Sequence, residues 1–313
     1  MGTYCFGIDV GGTTVKCGLF RTDGTLVEKW EIPTRKENNG DQILPDVAAA
    51  VNAKMEEKGI SKEEVEGVGI GVPGPVNSKG EVSRAVNLFW GYKNVVGEME
   101  ELTGLHAEAG NDANVAALGE AWKGAAEGSK NVIMVTLGTG VGGGIIIDSK
   151  IIAGHHGAGG EIGHACVNHN EVRPCNCGNH GCLEQYSSAT GVVRCMKKLL
   201  DENPDTPCTL RGTEFAAKDV FDAARNGDAL AAREVDEMTD TLGMALANVA
   251  NTVDPEMFMI GGGVSRAGDV LFAPLREHFK VYAFKSCRET PIVPAILGND
   301  AGIYGSVRLI VGE

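Results

Sequence analysis

Asp9-Val10-Gly11-Gly12-Thr13-Thr14-Val15-Lys16 lies between two short apolar segments and decides the fold at the start of the chain. Residues 4–9 and 15–20 have the composition of strands, and glycine permits the tight turn of a hairpin between them. The same glycines let backbone N–H groups and threonine hydroxyls approach an anion, because no Cβ stands in the way. Asp9, at the strand end, is placed where a carboxylate can hold a hydrated Mg²⁺. Taken alone, an anion-binding loop and a plain hairpin with an incidental aspartate fit this stretch equally well.

A second glycine-rich stretch, Leu137-Gly138-Thr139-Gly140-Val141-Gly142-Gly143-Gly144, follows more than a hundred residues later. It satisfies the dinucleotide-binding expression G-x-G-x-x-G, but that fingerprint must open a helix. Here the glycines lead into Ile145-Ile146-Ile147-Asp148, which has the pattern of a strand. We therefore predict a glycine turn over residues 138–144 in a second strand–glycine–strand hairpin. Two such hairpins indicate a duplicated domain with a cleft between the halves, a geometry suited to a nucleoside triphosphate.

The composition excludes several classes of protein. Lys and Arg total 28 against 42 for Asp and Glu, and the net charge of −14 disfavours binding to a phosphate backbone. The longest uncharged stretch, residues 131–147, is shorter than the ~20 residues of a membrane span, and the chain does not begin like a signal peptide. We expect no nucleic-acid or membrane partner. Nine cysteines without a secretory signal indicate a reducing cytoplasm.

Strand and helix patterns alternate along the chain, which indicates the α/β class. A length of 313 residues favours about two domains. We predict a small α/β domain over residues 1–110, to which a helix at about 300–313 returns, and a large α/β domain over residues 111–299. Further predicted strands cover residues 25–32, 65–72, 105–109, 131–137 and 257–260, and predicted helices cover residues 42–58, 113–122, 189–200, 228–252 and 300–311.

Cys175, Cys177 and Cys182 lie within eight positions, and His164 precedes them by eleven. Three thiolates and one imidazole complete a tetrahedral shell for Zn²⁺, and a shell with no open position is structural. Metal ligation explains the cluster better than free thiols do, because exposed clustered cysteines oxidise readily. The sequence alone leaves four other histidines as alternatives to His164, namely His155, His156, His169 and His180.

Four motifs together resemble the ROK family of bacterial sugar kinases, and its glucokinases most of all. They are Asp9-x-Gly11-Gly12-Thr13, Leu137-Gly138-Thr139-Gly140-x-Gly142-Gly143-Gly144, Glu161-x-Gly163-His164 and Cys175-x-Cys177-Gly178-x-x-Gly181-Cys182-x-Glu184. The resemblance extends from about residue 4 to residue 309 and implies an actin-like (ribonuclease H-like) ATPase fold with two α/β domains around a cleft. It implies ATP-dependent phosphorylation of a hexose, glucose first, in a homo-oligomer that is a dimer or a tetramer.

The alternatives are a ROK kinase for N-acylmannosamine, fructose or allose, a polyphosphate-dependent enzyme, and a sugar-sensing ROK regulator. Such regulators carry an additional N-terminal helix-turn-helix, for which the residues before the first hairpin leave no room.

The resemblance also implies a role for individual residues. The phosphates of ATP would contact Gly11, Gly12, Thr13, Thr14, Thr139 and Gly140, and its adenosine would contact Gly262. The sugar would contact Asn87, Asn111, Glu161, His164 and Glu184. His164 becomes the fourth zinc ligand, with its second ring nitrogen left for the sugar. Lys16 either reaches a phosphate or caps the hairpin as a solvated charge, and both interpretations have equal support.

The resemblance makes Asp112 the general base, whereas the residues alone favour a role as N-cap of the following helix. The pair Asn111-Asp112 follows a predicted strand and precedes a predicted helix, and ligand sites of α/β proteins form at the carboxyl ends of strands. A kinase that acts on an alcohol needs one carboxylate within hydrogen-bond reach of the hydroxyl. Asp112 also fits the N-cap of the helix, a role compatible with catalysis.

Overall fold

The structure, a computed structural model, describes residues 2–312. Its strands are β1 (Tyr4–Val10), β2 (Thr14–Arg21), β3 (Leu26–Pro33), β4 (Val65–Val72), β5 (Glu81–Val82), β6 (Lys93–Asn94), β7 (Ala107–Asn111), β8 (Val132–Leu137), β9 (Val141–Ile147), β10 (Lys150–Ile151), β11 (Met257–Gly261) and β12 (Ile292–Pro294). Its helices are α1 (Glu37–Gly40), α2 (Ile43–Lys58), α3 (Val95–Thr103), α4 (Asp112–Lys123), α5 (Glu184–Ser187), α6 (Ala189–Glu202), α7 (Ala217–Arg225), α8 (Ala229–Val253), α9 (Asp269–Tyr282) and α10 (Ala301–Val311). Every strand and helix predicted from the sequence is present, with ends that shift by a few residues.

Two five-stranded sheets share one strand order. The first runs β3-β2-β1-β4-β7, with β1, β2 and β3 antiparallel and with β4 and β7 parallel to β1. The second runs β10-β9-β8-β11-β12, again with its last two strands parallel to the first strand of the hairpin. Counted along the chain within each sheet, both orders are 3-2-1-4-5. This repeat agrees with the prediction of a duplicated domain.

The predicted glycine turn over residues 138–144 is wrong beyond residue 140, because β9 already begins at Val141. Close packing against a helix explains why this strand contains glycine. A Cβ on Gly144 would come within 2.9 Å of the Ala113 carbonyl oxygen in α4, so the helix backbone approaches the strand too closely for a larger residue.

The chain folds into two compact units. Within the described residues, the first comprises residues 2–130, 144–160 and 296–312, and the second comprises residues 131–143 and 161–295. This grouping differs from the predicted boundary at residue 110, because α4 packs against α10 in the first unit. The buried carboxylate of Glu120 in α4 also accepts hydrogen bonds from the N–H groups of Ile296 and Leu297 (3.2 and 2.7 Å), which ties the last segment to this unit.

Glycines let α4 and α10 cross at close range. A Cβ on Gly305 would lie 2.9 Å from the backbone nitrogen of Gly119, and a Cβ on Gly119 would lie 2.8 Å from that of Gly305. Beneath this helix pair, Cys5, Phe20, Ile303 and Val307 form a small buried cluster. On the other face of the sheet, β1, β2 and β4 contribute to a larger core shared with α2 and α3.

The second unit places long helices beside its strands. Helix α8 packs against α6, α7 and α9, and the rings of Phe258 in β11 and Phe279 in α9 meet edge to face at 5.7 Å. Within residues 2–312, no helix combines the length and the apolar character needed to cross a bilayer.

Candidate functional site

The first glycine turn joins β1 to β2. The Gly11 N–H donates to the Thr14 carbonyl (3.0 Å), and a Cβ on Gly11 would come within 2.7 Å of the same oxygen, so only glycine fits there. The Thr34 hydroxyl donates to the Gly11 carbonyl (2.7 Å), and the Thr34 N–H donates to the Thr13 carbonyl (2.9 Å). Sequence reasoning missed Thr34, which belongs to no motif. Thr34 thus holds the turn through two hydrogen bonds. The space beside Gly12 is open, because a Cβ there would meet none of the described heavy atoms within 4 Å apart from its chain neighbours.

Asp9 and Lys16 face each other across this hairpin. They are register partners, and Lys16 Nζ lies 3.5 Å from Asp9 Oδ2 and donates to the Asn299 carbonyl at 3.1 Å. Burial raises the pKa of Asp9, and the Lys16 charge offsets part of that shift. A Cβ on Gly302 would lie 2.6 Å from Asp9 Cγ, so the first turn of α10 packs directly on the carboxyl group.

The second glycine turn covers residues 138–140 and lies in the second unit. The Gly138 N–H donates to the Gly140 carbonyl (3.0 Å), while its own carbonyl accepts from the Ala189 N–H (2.8 Å). The Thr190 hydroxyl donates to the Thr139 carbonyl (2.8 Å), so the start of α6 holds this turn from behind. Gly262 lies beside the end of β8 with φ +82°, a conformation that favours glycine.

Glu184 links this turn to the cysteine cluster. Its Oε2 accepts from the Val141 N–H at 3.0 Å, and its Oε1 lies 3.9 Å from Cys175 Sγ. A Cβ on Gly140 would collide with Glu184 Oε2, so a larger residue there would displace the Glu184 carboxylate. One carboxylate predicted for the sugar therefore contacts the loop predicted for the nucleotide.

Asn111, not Asp112, is the N-cap of α4. The Asn111 side-chain oxygen accepts from the N–H groups of Ala113 and Asn114 (3.1 and 3.2 Å), and its amide donates to the Gly74 carbonyl (3.1 Å). The alternative of Asp112 as the cap is therefore corrected: Asp112 is the first residue of the helix, and its Oδ1 accepts from the Ala113 N–H (2.8 Å). Both residues lie at the carboxyl end of β7, as the sequence predicted.

Asn87 lies in a short turn over Val86–Leu88, where its side chain is exposed. The turn is anchored by buried neighbours, because Leu88 is inaccessible and the Trp90 indole donates to the Gly40 carbonyl at 3.0 Å. A Cβ on Gly74, whose carbonyl binds Asn111, would lie 2.6 Å from the Arg84 carbonyl oxygen. Gly74 thus contacts both the Asn111 side chain and the Arg84 backbone, three residues before Asn87.

Glu161 and His164 belong to one turn of 3-10 helix over Ile162–His164. The His164 N–H donates to the Glu161 carbonyl (3.1 Å), and His164 Nε2 lies 3.9 Å from Glu161 Oε2. Gly163 between them packs against the Val141 backbone, where a Cβ would collide. The turn is thereby fixed beside the second glycine loop.

His164, Cys175, Cys177 and Cys182 form one cluster, with their ligand atoms all within 4.8 Å of one another. Cys177 Sγ lies 3.7 Å from Cys182 Sγ, and Cys175 Sγ lies 3.8 Å from His164 Nδ1. Glycines with positive φ shape this loop, at Gly178 (+93°) and Gly181 (+70°).

The donor set fits zinc. Sulfur atoms about 2.3 Å from a tetrahedral ion lie about 3.8 Å apart, and imidazole nitrogens bind at about 2.0–2.1 Å, so the observed spacings suit one ion. The sequence left five histidines as possible fourth ligands, and the one that lies in the cluster is His164. Its Nδ1 faces the sulfurs, which leaves Nε2 directed toward Glu161.

Sequence reasoning missed a polar network formed by residues that flank the cluster in the chain. The Tyr186 hydroxyl donates to Glu171 Oε2 (2.7 Å) and accepts from the Asn168 amide (2.9 Å). Arg194 donates to the Gln185 carbonyl (2.6 Å) and stacks over the Tyr186 ring. Burial, and then the hydrogen bond to Glu171, raise the pKa of Tyr186 to about 12. No spacing in the sequence marks these residues, because the fold rather than a motif brings them together.

Known proteins match this chain along almost its whole length. The profile described as the ROK family matches residues 5–313. A glucokinase of Halalkalibacterium halodurans is 43% identical over 97% of this chain and 94% of its own, and a glucokinase of Thermotoga maritima is 36% identical over 97% and 96%. The crystal structure of a ROK family glucokinase from Streptomyces griseus, in complex with glucose and AMPPNP, is 34% identical, covers 98% of both chains and superposes with a TM-score of 0.75.

These matches confirm the resemblance inferred from the four motifs. They also confirm the fold class, because ROK sugar kinases have the actin-like ATPase fold, which the two α/β units with one repeated strand order reproduce. By profile, by sequence identity and by fold, this chain belongs to the ROK family.

Proposed function

We propose that this chain transfers the γ-phosphoryl group of ATP to the 6-hydroxyl of glucose. The observation that carries the proposal is the similarity, over nearly the whole chain, to glucokinases, one of which was solved with glucose and AMPPNP. The site residues contribute groups of the kinds that the reaction needs: backbone N–H groups for phosphates, carboxylates for hydroxyls and one carboxylate for a proton.

The two glycine turns are proposed to bind the phosphates of ATP. Consecutive N–H groups and threonine hydroxyls suit phosphate oxygens at Gly11, Gly12, Thr13 and Thr14 and at Thr139 and Gly140. Gly262 would contact the adenosine. Asp9 fits a hydrated Mg²⁺, because its half-buried carboxylate lies at the end of β1 beside the turn. When bound, this ion would neutralise charge on the phosphate oxygens.

Asn87, Asn111, Glu161, His164 and Glu184 are proposed to bind the sugar. Carboxylates suit vicinal hydroxyls because each accepts more than one hydrogen bond. His164 Nε2 is free of the cysteine sulfurs, so it can serve a hydroxyl while Nδ1 serves the metal. A structural Zn²⁺ would fix the turn that carries Glu161 and the start of α5 that carries Glu184.

Asp112 is proposed to be the general base. Its carboxylate would accept the proton of the 6-hydroxyl as the oxygen attacks phosphorus. The side chain is well fixed for this role, because Oδ1 accepts the Ala113 N–H in the first turn of α4. The positive end of that helix favours the ionised carboxylate.

Replacing Asp112 tests the proposal. We expect Asp112→Asn to lower kcat by about 10²–10⁴, the usual contribution of a positioned base, with little change in KM for glucose. A coupled assay over glucose, mannose, N-acetylmannosamine and fructose, with ATP and with polyphosphate, measures both the effect and the preferred substrates. The control is Glu108→Gln, an exposed carboxylate on β7, the strand that ends just before Asp112, and this variant should leave kcat unchanged. A variant at position 112 with kcat near the unmodified level would contradict the assignment.

A homo-oligomer, either dimer or tetramer, a cytoplasmic location and the lack of a nucleic-acid partner stay predictions from the sequence. Light scattering measures the first, and a gel shift at low salt tests the last.

A further inference from the structure

Cys166 lies opposite Cys182, a member of the cysteine–histidine cluster. The two residues form an isolated antiparallel bridge. The flanking hydrogen bonds run from the Leu183 N–H to the Ala165 carbonyl (2.9 Å) and from the Val167 N–H to the Gly181 carbonyl (2.7 Å). Cys166 and Cys182 are therefore the pair between two hydrogen-bonded pairs, and their side chains lie on the same face of the bridge.

This type of pair suits a disulfide. Directly opposed residues without mutual hydrogen bonds have Cα atoms about 4.5 Å apart, within the range of about 4.4–6.8 Å that a disulfide spans. Each of the two cysteines is reduced in the structure. A bond between their sulfurs would therefore require rotation of side chains and little movement of the backbone.

The two cysteines differ in access to solvent. Cys182 is inaccessible and its sulfur is directed at Cys177, whereas Cys166 is exposed. Cys166 Sγ lies 3.5 Å from Nδ1 of the exposed His169 imidazole. An oxidant in solution therefore meets Cys166 before it meets the buried ligand.

We propose that Cys166 is an oxidation site through which a peroxide removes Cys182 from the metal. Hydrogen peroxide oxidises the Cys166 thiol to a sulfenic acid, with one oxygen transferred to sulfur and one water released. The Cys182 sulfur then attacks the Cys166 sulfur: the S–S bond forms, the S–O bond breaks, and hydroxide leaves and is protonated to water. Overall, two thiols lose two electrons and one peroxide becomes two waters.

The consequence is a metal site with three protein ligands instead of four. His164, Cys175 and Cys177 remain, and a structural zinc site depends on the closed set of four. Reduction of the disulfide by a dithiol restores the thiol of Cys182 and with it the site. The inference rests on the proposed zinc site and adds to it a reversible switch that acts on the loop carrying Glu161 and Glu184.

The experiment measures metal release and the bond that forms. Metal analysis first gives the zinc content of the untreated protein, with about one ion per chain expected. The protein is then treated with hydrogen peroxide, zinc release is followed with a chromophoric chelator, and the disulfide is located by peptide mass spectrometry without reduction. The unmodified chain should release its zinc and yield a peptide pair that joins Cys166 to Cys182. Dithiothreitol followed by zinc should restore the metal content.

Two serine variants complete the test. Cys166→Ser should release zinc about tenfold more slowly, because it lacks the thiol proposed to oxidise first, although the exposed ligand Cys177 remains. Cys208→Ser, at a partly exposed cysteine outside the cluster, should behave like the unmodified chain. Equal release from Cys166→Ser, or a disulfide among Cys175, Cys177 and Cys182 alone, overturns the inference. If the untreated protein contains no zinc, the metal proposal is overturned. The peptide analysis then still shows whether Cys166 and Cys182 form a disulfide.

Discussion

Gly140 shows how little space separates the two loops that meet at Glu184. A methyl group there would collide with the Glu184 carboxylate, which also accepts the Val141 N–H. We therefore expect Gly140→Ala to displace the carboxylate and the turn together, and to lower kcat/KM for both ATP and sugar by about 10², the usual cost of a misplacement near 1 Å. Steady-state kinetics with each substrate varied in turn measures the effect.

Gly138→Ala is the matched control for this change. It lies in the same turn, but a Cβ on Gly138 would meet none of the described heavy atoms within 4 Å beyond its chain neighbours. Its kcat/KM should stay within a few-fold of the unmodified value. Equal losses in the two variants would mean that loop flexibility, and not the contact with Glu184, limits activity.

Glu234 in α8 makes stability depend on pH. It is almost fully buried, and burial, with a further contribution from Glu237, raises its pKa from 4.5 to about 8, while Arg194 opposes the shift. The neighbouring Cys195 on α6 is also buried enough to have its thiol pKa raised, to about 11. Because the folded state holds the Glu234 proton more tightly than the unfolded state does, the free energy of unfolding falls as pH rises from about 4.5 to about 8.

We expect Glu234→Gln to remove this dependence. The variant should melt higher than the unmodified chain above pH 8, by ~2–4 °C for each kcal/mol in a domain of this size, and the difference should vanish toward pH 4.5. Thermal unfolding followed by circular dichroism across this range measures it. The exposed Glu202→Gln serves as control, and a difference that grows toward low pH would contradict the assignment.

The sequence predicted most of these residues by chemical type and missed their immediate partners. The two glutamates proposed to bind the sugar and the cysteine cluster were visible as motifs. Asn and Asp are both favoured at the N-cap, so residue type alone does not decide between Asn111 and Asp112. In the structure the Asn111 side chain turns back toward the backbone and caps α4. The two partners of Lys16 could not be predicted either. Strand register places Lys16 opposite Asp9, and the Asn299 carbonyl comes from a segment almost three hundred residues away.

Among elements, the crossing of α4 and α10 depends on two glycines. A Cβ on Gly305 would collide with the Val115 carbonyl, and the backbones leave no side chain that can yield. We expect Gly305→Ala to lower the free energy of unfolding by about 1–3 kcal/mol, the usual cost of overpacking. Urea unfolding measures it, with Gly91→Ala as control, because a Cβ on Gly91 would have no described atom within 4 Å other than those of its chain neighbours. Equal stability of the two variants would show that the helices can separate at no cost.

The elements themselves were predicted well because their patterns are local. Both hairpins and the long α8 follow from apolar periodicity and turn residues. The start of β9 was missed for a nonlocal reason. Glycine next to glycine is typical of a turn, and only the packing of α4 against Gly144 explains why these glycines continue a strand.

For the whole molecule, zinc removal should have a local effect. The cluster ties the turn at Ile162–His164 to the loop over residues 175–182, and the hairpin of β1 and β2 contains none of its ligands. We expect chelation, or Cys177→Ser, to increase amide hydrogen exchange over residues 161–187 by about tenfold or more, as expected when a metal-held loop opens. Residues 4–21 should be unchanged. A uniform increase across both segments would contradict a structural role confined to the loop.

Division of the chain into units was the hardest property to predict. A boundary at residue 110 follows from the order of elements, whereas the grouping of residues 111–130 with the C-terminal segment follows from tertiary packing. The packing of α4 on α10 and the hydrogen bonds that Glu120 accepts join segments nearly two hundred residues apart. No pattern in one sequence marks such a pair. By contrast, the two glycine hairpins in the sequence indicated the repeated strand order.

The double engagement of Glu184 restricts which substitutions the structure can accept at this position. Because the carboxylate accepts the Val141 N–H and lies beside Cys175, a substitution there disturbs the glycine turn and the cysteine loop at once. Exposed positions such as Asn87 and Glu161 can change without that cost. A substitution that alters sugar preference is therefore expected to disturb the two loops less at these positions than at Glu184.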